Sequence, residues 1–455
     1  MKKSCHSIYK LIFALSLQLF VISIASAQGV LGVKGENTST TGIYIKDLKS
    51  GEVIFETNAT KNLIPASITK SLTSATALSL LDPDFRYETS VLLEKYQLKD
   101  GKLSGILSIA TSGDPTLDSE YFKDNRGFCM NVAKKLKERG VTEFVGNISI
   151  AGVYLDEGQV QSWDTEDTPW SYGAGFYGLN YKDNTSAFWP VTGRTKPNIP
   201  NFNVVRHQSS SVDLKRQPGS SVIHVYAPAK TLKNKSWRIV TTMPDPAACL
   251  VSELKDALDS VGINYTFSDV ADGKGKNLIY VHRSPQIDDI LHSLMVRSDN
   301  MFAEATLRAF APRKSRDKCI KKELDLWRKR GMDVDKISIC DGSGLSRSDR
   351  FSPAFLAGVL EWMSNSKMAK RYTALFPRSG VDGTMKNFCK DNRLAGRLAF
   401  KTGSMSGVQC YAGYVLDPST DEPTHVVVIM VNSFTCPRSE LKSAIAKLLL
   451  EKLPE

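Results

Sequence analysis

Ser67 and Lys70, in the run Pro65-Ala66-Ser67-Ile68-Thr69-Lys70, set a hydroxyl beside an amine. The apolar residues that follow, from Leu72 to Leu81, recur at helical spacing. Ser67 is therefore expected near a helix start, with Lys70 one turn later on the same face, where an amine can act as base toward a hydroxyl. The S-x-x-K spacing alone discriminates little, because it occurs six times, at Ser7, Ser67, Ser252, Ser315, Ser364 and Ser439. Two triplets far downstream single out Ser67. Ser298-Asp299-Asn300 lies in a helical stretch and is the only S-x-N, and Lys401-Thr402-Gly403 lies on a strand and is the only K-T-G. A chance K-T-G is roughly a one-in-ten event at this length and average composition, so the weight rests on all three motifs in this order.

Together the motifs describe acyl transfer. Serine is a poor nucleophile at neutral pH and needs a base within hydrogen-bond reach. Lys70 meets that need if partial burial, the helix dipole and like charge from Lys401 lower its pKa. Ser298 would relay a proton between Lys70 and a leaving amine, and Asn300 would hold Lys70 and a substrate amide. Lys401 and Thr402 would hold a terminal carboxylate. Gly403 would leave room for a substrate strand at the sheet edge, and the backbone N–H groups of Ser67 and Ser404 would form an oxyanion hole. Asp299 reads as a structural helix residue. Cys410 reads as a core or disulfide cysteine, since no histidine is near it in sequence.

These residues need elements to hold them. Ile43 to Ile45 and Val53 to Phe55 flank Lys49-Ser50-Gly51 as a β-hairpin, and strands are expected again at Leu398–Thr402, Gln409–Leu416 and His425–Val431. A single sheet built from both ends of the chain accounts for this arrangement, within an α+β fold. A buried stripe predicts a helix over Ile287–Phe310, and further helices are expected near Lys318–Arg330, Pro353–Met363 and Leu441–Leu453. Between Tyr87 and Val281 the character changes to short β-like runs divided by Gly, Pro, Asn and Ser turns, with helices near Phe128–Arg139 and Ala247–Val261. Thr192 to Gln217, low in hydrophobicity, reads as a loop or a subdomain edge. The region reads as one or two mostly-β modules inserted into another domain, giving 28–86 and 285–455 as one domain and 87–284 as the insertion.

The first 27 residues read as a secretory signal: Lys2 and Lys3, an apolar run from Leu11 to Ile24, then Ala25-Ser26-Ala27 before Gln28. An exported chain without a membrane span after cleavage is the expectation. Loss of Lys2, Lys3 and Lys10 with the signal takes the formal net charge from +11 to +8. That balance suits an anionic surface such as a cell wall. No arginine-rich block or aromatic-interleaved basic stripe suggests nucleic acid. Loss of Cys5 leaves seven of eight cysteines, so at least one thiol stays unpaired within the chain. With no C-x-x-C, H-E-x-x-H or G-x-x-x-x-G-K, neither a metal nor another cofactor is expected.

The ordered set S-x-x-K, S-D-N and K-T-G resembles that of serine β-lactamases and penicillin-binding proteins. The 228 residues from Lys70 to Ser298 exceed what a minimal helical subdomain needs. With that gap, the chain resembles the D-alanyl-D-alanine carboxypeptidase/endopeptidases of peptidase family S13, the class C low-molecular-mass penicillin-binding proteins. Family-like segments also occur at Ser112-Gly113-Asp114-Pro115, at Asp341-Gly342-Ser343-Gly344-Leu345-Ser346 and at Val381-Asp382-Gly383-Thr384-Met385. The resemblance implies a transpeptidase-type domain, an antiparallel sheet with helices, carrying large mostly-β insertions. It implies a periplasmic serine-type D-Ala-D-Ala carboxypeptidase or endopeptidase that cuts peptidoglycan stem peptides through a Ser67 acyl-enzyme and is inhibited covalently by β-lactams. In some members an inserted-domain aspartate binds the ammonium of a diaminopimelate side chain, and Asp167 stands in a similar context. The rival readings are a β-lactamase or esterase on the same fold, and a non-catalytic cell-wall binding protein. Homo-oligomer formation is left open.

Overall fold

Residues from the two ends of the chain pair in one antiparallel five-stranded sheet, in the order Leu398–Met405, Val408–Leu416, Pro423–Asn432, Thr41–Asp47, Val53–Thr57. Thr41 faces Val431 and Asp47 faces His425 across the junction of the two ends. The computed structural model describes residues 29–152, 158–269 and 273–454; the expected signal segment lies outside them. The central strands carry long apolar runs because helices cover both faces. Arg438–Lys452 sets Leu441, Ile445 and Leu449 against Ile43, Ile45, Phe400, Val427 and Ile429. Pro353–Ser364 packs on the same sheet's Pro423–Asn432 strand, where Tyr414 Oη donates to Leu360 O at 2.7 Å. Ser352 caps that helix by accepting from Phe355 N, and Pro353 occupies its first turn. This sheet and its helices form one compact unit: residues up to Ile68, Arg350–Asn365 and the chain from Pro377 onward.

The second unit holds Thr69–Asp349 and Ser366–Phe376. Its helical part comprises Thr69–Leu80, Ile287–Arg297, Asn300–Ala309, Arg316–Lys329 and Ala369–Thr373. Thr69 to Leu78 is buried throughout, so this helix needs no single apolar stripe and can carry hydroxyls. Two of those hydroxyls reach partners on other segments: Thr73 Oγ1 donates to Gly342 O at 2.7 Å and Thr76 Oγ1 to Glu323 Oε1 at 2.9 Å. The helix expected over Ile287–Phe310 is two helices. Ser298 takes the left-handed conformation (φ 62°, ψ 43°), and Asp299 begins a new helix by accepting from Phe302 N at 3.0 Å. Aspartate competes for backbone donors and restarts a helix more readily than it continues one.

The rest of the second unit is mostly β. A five-stranded mixed sheet runs in the order Asn264–Phe267, Glu143–Gly152, Lys102–Thr111, Glu88–Lys99, Lys276–Arg283. Leu103, Leu107, Ile109, Phe144 and Ile148 share a core with the helices Phe128–Lys137 and Pro246–Ser260. Two three-stranded sheets follow: Asn203–Gln208, Val222–Ala227, Asp213–Lys215, and Ile239–Thr242, Thr185–Trp189, Arg194–Lys196. Thr192 to Gln217 thus supplies edge strands to both small sheets. Among the described residues no helix is long and apolar enough to cross a membrane.

Candidate active site

Ser67 lies half-buried in a single turn of 3-10 helix, Ala66–Ile68, that runs directly into Thr69–Leu80. Ala66, just before it, has φ of 49°, a left-handed conformation that costs an alanine about 1–3 kcal/mol and is met mainly where surroundings impose it. The strand Leu398–Met405 packs directly on this turn. A Cβ on Gly403 would stand 2.7 Å from Pro65 O, 3.0 Å from Ser67 N and 3.2 Å from Ala66 Cβ. The room that Gly403 leaves is therefore filled by the backbone carrying Ser67. This differs from the expected opening for a substrate strand, although Leu398–Met405 does form the sheet edge. Lys401 is buried and its Nζ donates to Thr402 O at 2.8 Å. Ser404 is exposed, and its Oγ donates to Gln409 Oε1 at 3.0 Å.

In the second unit Lys70 is fully buried. Its Nζ donates to Asn300 Oδ1 at 2.6 Å and to Ser343 O at 2.6 Å. Burial is the leading influence on its pKa and lowers it to about 8. The charges of Asp341, Asp299, Glu304 and Asp349 pull the other way, so desolvation works against these carboxylates. Asn300, 7 % exposed, uses its other amide atom to donate to Tyr172 O at 2.8 Å. Ser298 is half-buried at the break between the two helices. Asp299 is spent on capping and on Arg297, whose Nη2 donates to it at 2.6 Å, in keeping with a structural residue.

The loop Asp341–Ser346 supplies the second acceptor for Lys70. Asp341 is buried and gathers four donors: Ser343 N at 2.9 Å and Gly344 N at 2.5 Å on Oδ1, Ser346 N and Trp163 Nε1 at 2.8 and 2.7 Å on Oδ2. Glu304 Oε1 accepts from Gly342 N at 2.7 Å, and burial raises the Glu304 pKa to about 7. Ser343, Trp163 and Tyr172 carry no motif. A backbone carbonyl is available at every position, and only its likeness to a family segment marked the Asp341–Ser346 loop in advance.

Asp167 is half-buried, and its Oδ1 accepts from Tyr172 Oη at 2.9 Å. The same Tyr172 accepts from Asn300 through its backbone oxygen. Burial raises the Asp167 pKa. Cys410 is a core residue: it is buried, donates to Ile64 O at 3.5 Å, and burial pushes its thiol pKa well up. Among the described residues the cysteines form no disulfide.

Two curated relatives are similar along most of the chain. A D-alanyl-D-alanine carboxypeptidase from an Actinomadura species is 24% identical over 84% of this chain and 76% of the relative. The D-alanyl-D-alanine carboxypeptidase DacB of Haemophilus influenzae is 24% identical over 90% of this chain and 89% of the relative. Among solved structures, penicillin binding protein 4 (dacB) of H. influenzae has the same fold, with a TM-score of 0.77 at 21% identity, covering 92% of this chain and 97% of that one. A family model extends the likeness from residue 31 to residue 451. The chain belongs to the D-Ala-D-Ala carboxypeptidase 3 (S13) family.

Proposed function

We propose that this protein is an exported serine-type D-Ala-D-Ala carboxypeptidase, active also as an endopeptidase, that cleaves peptidoglycan stem peptides. The observation that carries the reading is Lys70: a fully buried amine with a pKa near 8, one turn after Ser67 and held by the asparagine of the only S-x-N. In its neutral form Lys70 takes the Ser67 proton as Oγ attacks the carbonyl of the penultimate D-Ala. The backbone N–H groups of Ser67 and Ser404 stabilise the oxyanion. Ser298 passes the proton to the departing D-Ala amine, and Asn300 holds Lys70 and the substrate amide. Lys401 and Thr402 hold the terminal carboxylate, and Gly403 permits the close backbone approach beside Ser67. Water then attacks the acyl-enzyme and frees Ser67.

Residues 28–86 with 285–455 form the peptidase domain in this reading, and 87–284 is its insertion. Asp167 selects a stem side chain bearing an ammonium group; its hydrogen bond to Tyr172, which in turn holds Asn300, supports this. Asp167→Asn should lose the preference for stem peptides carrying that ammonium over peptides lacking it. An unchanged preference would move the specificity site elsewhere.

The test is intact mass over time with benzylpenicillin, whose leaving nitrogen stays tethered after ring opening. One drug mass on the peptide containing Ser67, clearing slowly and absent from Ser67→Ala, supports the peptidase. Rapid multiple turnover would make the protein a lactamase, and neither adduct nor hydrolysis would make it a wall-binding protein.

A further inference from the structure

Two acceptors of Lys70, Asn300 Oδ1 and Ser343 O, are held in turn by one stretch of the inserted region. Asn300 Oδ1 accepts from Lys70, and Asn300 Nδ2 donates to Tyr172 O. Ser343 O accepts from Lys70, and the turn that aims this carbonyl is closed by Asp341, whose Oδ2 accepts from Trp163 Nε1. Trp163 is 4 % exposed and Asp341 fully buried, so this bond works away from water, where hydrogen bonds are strong and lost partners costly. The nearby Arg347–Asp164 pair at 3.3 Å is exposed and adds little. From these contacts we infer that Asp341 and Trp163 are positioning residues for acylation, the insertion acting through them to fix the Ser343 carbonyl and with it the Lys70 amine. This rests on the peptidase reading and adds to it: the insertion completes the base as well as meeting the substrate.

The pairing gives the two residues different signatures. Asp341 is the foremost of the charges that hold the Lys70 pKa up against burial. Replacing its carboxylate by an amide should favour the neutral amine at lower pH. Trp163 bears no charge, so its loss should disturb position and leave the titration in place.

The experiment measures benzylpenicillin acylation of the full chain from about pH 5 to about pH 10 for wild type, Asp341→Asn and Trp163→Phe, with thermal unfolding alongside. Trp163→Phe should slow acylation roughly ten-fold, with the pH midpoint unmoved and little change in the affinity of the complex before acylation. Asp341→Asn should slow it and move the midpoint to lower pH. Wild-type rates and midpoints in both variants would overturn the inference. So would variants that fail to fold, since Asp341 and Trp163 would then be holding the unit together rather than placing Lys70. A wild type that takes no adduct on Ser67 would instead overturn the peptidase reading, and the inference with it.

Discussion

Lys70 and Asn300, 230 residues apart in sequence and both buried, share a 2.6 Å hydrogen bond. Asn300→Ala removes an acceptor from a buried amine. Hydrogen bonds to charged groups contribute about 1.5–3 kcal/mol, so acylation should fall roughly 10- to 100-fold. Rates of benzylpenicillin uptake check this. A loss below about two-fold would leave Asn300 outside the machinery.

In the proposed mechanism the neutral amine is the active form, and burial lowers the Lys70 pKa to about 8, so the acylation rate should rise with pH along one ionisation near 8. The sign follows from the direction of the shift: burial disfavours the cation, so the base is free at lower pH than an ordinary lysine would allow. A rate still climbing steeply at about pH 10, the range of an exposed lysine, would exclude Lys70 as the base.

Gly403→Ala would drive a methyl against Pro65 O and Ser67 N, both backbone atoms with little freedom to yield. Overpacking of this kind costs about 1–3 kcal/mol. The expected result is a modestly lowered Tm together with a loss of acylation well beyond it, since the shifted backbone carries Ser67. Unchanged acylation would mean that the approach is looser than it stands here.

Lys401→Ala should weaken turnover of peptides ending in a free carboxylate more than turnover of a neutral ester that lacks one. Steady-state kcat/KM on the two substrates makes the comparison. Equal losses on both would argue against carboxylate anchoring.

Glu323 is fully buried, accepts from Thr76 at 2.9 Å and has a pKa raised by burial to about 8. The folded state therefore holds the proton that an unfolded glutamate releases near its model value of 4.5. Stability from this group is complete below that value and is lost as pH rises toward 8. Glu323→Gln carries no such proton, so the variant should gain Tm relative to wild type between those limits. A Tm difference independent of pH would show that Glu323 does not titrate there.

The candidate side chains for the chemistry could be chosen from the chain itself, because a hydroxyl, an amine and a carboxamide are properties of residue types and their spacing. The terminal sheet was legible for a related reason: strands such as Val408–Leu416 and Pro423–Asn432 carry long apolar runs that suit a covered, central position. The two-helix break at Ser298 was missed, since the apolar stripe continues across it while the capping of Asp299 redirects the backbone. Tertiary structure decided how far Lys70 is desolvated, and that set its pKa. It also chose Ser343 O and Tyr172 O as partners and wired Trp163 to Asp341. Backbone carbonyls are the same at every residue, and burial depends on what folds over a group from far along the chain. Neither leaves a mark on local sequence.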